Sequence, residues 1–145
     1  LNMQFVDADH EIESRTGASI TLIFEIEGEA GFRKRESEAL DRLTAMTDLV
    51  LATGGGAVLD ARNRQWLSER GYVIYLHAQP RDLWMRTRND KTRPLLQTDD
   101  PRARIQSLYD VRDPLYRQVA DLVVDTGRQG VGVLLNHLMQ NLEAV

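Results

Sequence analysis

A chain of 145 residues with 42% hydrophobic and 28% charged residues fits one globular domain with a real core. Its net charge of −4, with no basic tail or dense Lys/Arg run, argues against a nucleic-acid surface, and no apolar run approaches the roughly 20 residues of a membrane helix. The lack of cysteine excludes disulfides and thiol chemistry and points to a reducing compartment, the cytoplasm.

Residues 3–6 predict a short strand that ends at Asp7-Ala8-Asp9. A short helix over 9–15 follows, with Gly17 placed to stop it. Ile20, Ile23 and Phe24 have helical spacing in a second short helix ending near Gly28, and Phe32, Ala39, Leu40 and Leu43 mark a longer amphipathic helix over 29–46. The continuous apolar run 49–53 is the pattern of a strand buried on both faces, and Gly54-Gly55-Gly56 follow it. A helix over 60–70 capped by Gly71 leads to a buried strand at 72–76, and Pro80 opens the next helix at its first turn. The polar stretch 89–100 reads as a loop. Pro101 starts a helix to about Val111, Pro114 a further one, Leu122-Val123-Val124 form the last strand, and 131–142 the closing helix. The alternation of strands and helices predicts an α/β fold with a mainly parallel sheet.

In open parallel sheets ligands bind at the carboxyl ends of strands, and the polar and glycine-rich features fall there. Asp7 and Asp9 follow the first strand. If the extended geometry persists they share a face, one able to accept a proton from a substrate hydroxyl, the other to hold a hydrated magnesium ion. The plainer reading has Asp9 capping the helix that follows. Gly54, Gly55 and Gly56 let backbone approach a ligand closely, or form a flexible turn. They do not match the G-x-x-x-x-G-K-[ST] phosphate loop, a pattern that occurs nowhere in these residues.

Arg33 on the long helix can fork onto a carboxylate or face solvent. Arg93, in the 89–100 loop, suits a lid that neutralises a transferring phosphoryl group, or is a surface charge. Arg112, at the expected helix break before Pro114, faces the same cleft or pairs with Asp110 or Asp113. Many arginines fall between 81 and 128, which allows local positive potential within a negative chain. His10, His77 and His137 lack metal-ligand spacing and read as structural or surface residues; Trp66 and Trp84 read as core.

Taken together, Asp7-x-Asp9, Gly31-Phe32-Arg33-x-x-Glu36, Ala52-Thr53-Gly54-Gly55-Gly56, Lys91-x-Arg93-Pro94-Leu95-Leu96 and Arg112-x-Pro114-Leu115-Tyr116 resemble shikimate kinase. Each motif is weak alone; in this order the set is specific, and it covers the chain from Leu1 to the closing helix. The resemblance implies a three-layer α/β/α fold of the P-loop kinase type and transfer of the ATP γ-phosphoryl group to the 3-hydroxyl of shikimate. By resemblance, Asp9 is the candidate base and Asp7 supports Mg2+ through water. Arg33 and Arg112 would hold the shikimate carboxylate, Gly54, Gly55 and Gly56 line its pocket, Glu36 orients Arg33, and Phe24 and Phe32 supply apolar walls. Arg93 would reach the ATP phosphates from the lid, with Arg86 and Arg128 or Gln129 near the adenine.

Family members begin with a strand, the phosphate loop and a helix, and this chain starts at Leu1 in a strand-like run. The expectation is therefore a single domain over 1–145 without its central first strand, poorly stable and inactive alone, and monomeric when complete. Two other readings stand beside it. One is a kinase-like protein that binds shikimate or a partner without catalysis. The other is a related small-molecule kinase such as one for gluconate, which the two arginines with the triple glycine suit less well than a carboxylated ring.

Overall fold

A computed structural model describes residues 3–87, 100–126 and 131–143. Two parallel strand pairs carry the helices. In the first, β1 (Gln4–Asp7) runs beside β2 (Leu49–Ala52), with Asp7 opposite Ala52 at their carboxyl ends. In the second, β3 (Ile74–His77) runs beside β4 (Leu122–Asp125), with His77 opposite Asp125. Among the described residues the two pairs form separate two-stranded sheets. The parallel α/β arrangement expected from the alternation of elements is present.

Between β1 and β2 the chain makes α1 (Ala8–Thr16) and α2 (Ile20–Thr44). Asp7, not Asp9, caps α1: its Oδ1 accepts the N–H groups of Asp9 at 2.9 Å and His10 at 3.2 Å. Asp7 stays extended at φ −98° while Asp9 is already helical, so the two carboxylates are not alternate residues of one strand. Gly17 closes α1 at φ 70° and donates to Glu13 O at 2.9 Å, the left-handed cap that favours glycine. Ser19 caps α2 through Leu22 N. Helical geometry breaks at Gly28, at φ 74° and ψ 178°, so α2 consists of the two helices expected on either side of that glycine, meeting at a kink.

A 3-10 turn over Ala57–Leu59 leads into α3 (Ala61–Arg70), which Asp60 caps. Gly71 ends it in an extended conformation at φ −159°, so it is not the left-handed cap expected. Beyond β3 lie α4 (Pro80–Thr87), α5 (Pro101–Val119) and, after β4, α6 (Val131–Glu143). Pro114 does not start a helix: α5 runs through it. An internal proline forfeits one backbone hydrogen bond and costs about 3 kcal/mol. Tyr109 and Asp113 before Pro114 hydrogen-bond His77 and Tyr75 of β3, and Tyr116 after it stacks on Tyr75, so β3 holds the helix on both sides of the proline.

The main core gathers Ala8, Ile12, Ile23, Phe32, Ala39, Leu40, Leu43 and Ala57, so α1 and α2 pack beneath the turn that follows β2. Trp66 packs against this core as expected; Trp84 is half-buried, with the Arg102 guanidinium 5.9 Å from its ring. His77 is buried and hydrogen-bonds Tyr109 Oη at 2.7 Å, while His10 and His137 are exposed, all three as expected. No helix among the described residues is long and apolar enough to cross a membrane.

Candidate active site

The carboxyl ends of β1 and β2 bring together Asp9, Arg33, Glu36, the three glycines and Arg112, from four separate stretches of chain. The glycines serve space rather than unusual backbone angles, since the positive-φ glycines among the described residues are Gly17 and Gly28. A methyl group on Gly54 would sit 3.3 Å from Asp9 Oδ1 and 3.4 Å from Glu36 Oε2. On Gly55 it would sit 2.9 Å from Arg112 Nη1 and 3.4 Å from Tyr116 Oη. On Gly56 it would overlap both terminal nitrogens of Arg33. Each glycine therefore makes room for a different polar side chain.

The turn is held from below. Gly54 O accepts Ala57 N at 3.2 Å and Gly56 O accepts Leu59 N at 3.1 Å. Asn63, 1% exposed, donates to Ala57 O at 3.0 Å, and Arg64 donates to Val58 O at 2.7 Å. Sequence reasoning missed Asn63; a polar residue in a short amphipathic helix carries no signal that it reaches back six residues to a turn.

Arg33 is fixed by Glu36, whose Oε1 accepts from Arg33 Nη1 at 2.9 Å; Glu29 Oε2 lies farther out, 3.6 Å from Nη2. The Arg33 guanidinium stands 5.2 Å from the centre of the Phe32 ring, which packs against Phe24 with centroids 4.9 Å apart and planes tilted by 35°. The role expected of Glu36 thus has its contact, and Phe32 adjoins the arginine with Phe24 behind it. Glu36 is 1% exposed. Burial pushes its carboxyl above the ordinary range, opposed by Arg33 and reinforced by the negative charge of Asp9.

Arg112 pairs with neither Asp110 nor Asp113. Asp113 Oδ2 is taken by Arg117 at 3.1 Å, and Asp110 Oδ1 accepts from Gln106 at 2.9 Å. Burial and the nearby positive charge of Arg33 both disfavour the charged form of Arg112. Among the described residues, Nε of Arg33 and Nε of Arg112 are buried without a hydrogen-bond partner. Two guanidiniums near enough for one charge to disfavour the other, each with an unused buried donor, are an arrangement that can accept a carboxylate, since an unpaired buried donor costs about 1–3 kcal/mol.

Asp7, Asp9, Arg33, Gly54, Gly55, Gly56 and Arg112 therefore fall around one end of the β1/β2 pair. Arg93, Arg128, Gln129 and the side chain of Arg86 lie outside the described residues, as does most of the expected 89–100 lid. No group of three His, Cys, Asp or Glu side chains able to hold a metal ion occurs among the described residues.

Comparison with known proteins gives a consistent result. The family model for shikimate kinase matches residues 1–143. The chain is 58% identical over 143 residues to a shikimate kinase of Burkholderia pseudomallei (strain 1710b), covering 99% of this chain and 78% of that protein. It is 59% identical over 141 residues to that of Aromatoleum aromaticum, covering 97% and 81%. Among solved structures, shikimate kinase from Acinetobacter baumannii in complex with shikimate superposes with a TM-score of 0.93 at 47% identity, covering 98% of this chain and 79% of that one.

Proposed function

Because the chain belongs to the shikimate kinase family, whose α/β fold of the P-loop kinase type it shares, we propose that the cluster at the β1/β2 end is its shikimate site. The reaction moves the γ-phosphoryl group of ATP to the 3-hydroxyl of shikimate, a step toward chorismate and the aromatic amino acids. The readings as a gluconate kinase or as a non-catalytic binding protein are disfavoured by 58% identity across nearly the whole chain.

The observation that carries the assignment is the pair of buried, unpartnered Nε donors of Arg33 and Arg112. They receive the ring carboxylate, Arg33 held in place by Glu36 and backed by Phe32. Gly54, Gly55 and Gly56 present backbone to the ring, where a side chain would crowd Asp9 and Glu36 at Gly54 and collide with Arg112 at Gly55 and Arg33 at Gly56. Asp9, beside Gly54, takes the proton of the reacting hydroxyl, a role worth about 10²–10⁴ in rate. Positioning and charge stabilisation supply most of the catalysis in such transfers. Arg93 belongs to the lid at 89–100 and meets the phosphates, with Arg86 and Arg128 or Gln129 near the adenine.

Magnesium fits one residue here. Asp7 spends Oδ1 on the α1 cap, and a lone carboxylate of this kind suits contact through a metal-bound water, the hard cation's preferred mode. Bound Mg2+ would lower the charge of the ATP phosphates. The protein is expected to work in the cytoplasm as a monomer.

The test is a steady-state assay of the whole gene product on shikimate and on gluconate. Arg33→Ala and Arg112→Ala are each expected to raise KM for shikimate about 10- to 150-fold, the worth of one charged hydrogen bond, with KM for ATP unchanged. Asp9→Asn should lower kcat instead. Unchanged KM for shikimate in both arginine variants would reject the site.

A further inference from the structure

All three carbonyls of the glycine turn are occupied, but not in the same way. Those of Gly54 and Gly56 accept local N–H groups three residues on. That of Gly55 accepts the hydroxyl of Tyr116, 61 residues away on α5. Three consecutive glycines are the most flexible backbone a chain can offer, so a turn built from them keeps its shape only where something outside it holds it. Tyr116 supplies that hold for the middle residue.

Tyr116 is itself fixed. Its ring stacks on Tyr75 with centroids 4.6 Å apart and planes 18° from parallel. Tyr75 Oη donates to Asp113 Oδ1 at 2.7 Å, and Asp113 also accepts Arg117 Nε at 3.1 Å and 3.2 Å. The hydroxyl thus hangs from a clamp between β3 and α5. One helical turn before it stands Arg112, and both reach Gly55: a methyl group there would meet Arg112 Nη1 at 2.9 Å and Tyr116 Oη at 3.4 Å. Burial pushes the Tyr116 hydroxyl up to about 12, so it remains a donor at any physiological pH.

We propose that Tyr116 is a positioning residue for shikimate binding, its hydroxyl fixing the glycine turn against α5 so that Arg112 and Arg33 converge on one carboxylate. The idea rests on the assignment of those arginines above, and the experiment separates the two. Tyr116→Phe keeps the ring stack and removes only the donor. It is expected to raise KM for shikimate about tenfold, near the worth of one buried hydrogen bond, while KM for ATP stays within about twofold. In an Arg112→Ala background the same change should raise KM clearly less than tenfold, because one of the two arginines it aligns is already gone.

Tyr75→Phe is the control for a purely structural role. It removes the hydroxyl that meets Asp113 but leaves Tyr116's bond to Gly55, and should lower the thermal midpoint without moving KM. Multiplicative effects of Tyr116→Phe and Arg112→Ala, or a lower midpoint in Tyr116→Phe with KM unmoved, would overturn the proposal. If Arg112→Ala itself leaves KM for shikimate unchanged, Arg112 does not hold the carboxylate and the positioning role fails with it, whatever Arg33→Ala does. If Arg112→Ala raises KM and Tyr116→Phe does not, only the positioning role is lost.

Discussion

Replacing the three turn glycines one at a time by alanine gives a graded prediction that can be worked from distances. The new methyl group on Gly54 would lie 3.3 to 3.6 Å from the oxygens of Asp9 and Glu36, a crowded contact but one without overlap. Gly54→Ala should change KM for shikimate by no more than about twofold, well under the worth of one hydrogen bond. On Gly55 the 2.9 Å approach to Arg112 Nη1 forces a shift of a few tenths of an ångström, enough to weaken one charged hydrogen bond without abolishing it. About fivefold is expected there, near 1 kcal/mol. On Gly56 the methyl group overlaps the end of Arg33, which must leave. The loss is then a whole charged hydrogen bond, about 1.5–3 kcal/mol or 10- to 150-fold in KM. Arg33 is a flexible side chain with a route to solvent beside Glu29, so the thermal midpoint of Gly56→Ala should fall far less than that of a core variant. A coupled assay of ADP release at varied shikimate and fixed ATP reads all three. Equal effects, Gly54→Ala as the most damaging, or a matching rise in KM for ATP would refute the account of the turn.

Two further outcomes concern stability. Glu36 is held above the ordinary carboxyl range by burial, so its contribution is fully present below the unfolded value of about 4.5 and is lost as pH rises through the folded one. Glu36→Gln should therefore gain on the wild type as pH rises from 4.5 toward neutrality, seen in thermal midpoints across that range; a gap that moves the other way would contradict the burial of an ionising carboxyl. Leu40, at 0% exposure in the main core, should lose about 2–5 kcal/mol on change to alanine, measured by urea unfolding, and a loss below 1 kcal/mol would mean the core packs differently.

Much of this arrangement is legible in the amino-acid sequence. The strand at 49–52 and the glycines behind it stand out as an apolar run with an abrupt stop, and Arg33 and Glu36 sit three apart on a helix, where side chains meet. What the sequence hid depends on tertiary contacts. Pro114 looked like a helix start because local rules exclude proline from helix interiors, and only the anchoring of α5 to β3 overrides them. Asp9 reads as the helix cap, but the place falls to Asp7, the residue that remains extended at the strand end. Tyr116 closes a motif visible in the chain, yet its partner is a carbonyl 61 residues upstream that no periodicity announces.

The single turn of α5 between Arg112 and Tyr116 also sets a rule for variation. A substitution at Leu115 leaves the angular relation between the two intact, whereas inserting or deleting one residue there rotates Tyr116 by about 100° about the helix axis relative to Arg112. Its hydroxyl would swing away from Gly55 even if every remaining side chain were unchanged. Libraries built on this segment should vary identity freely at Leu115 and hold length constant from 112 to 116.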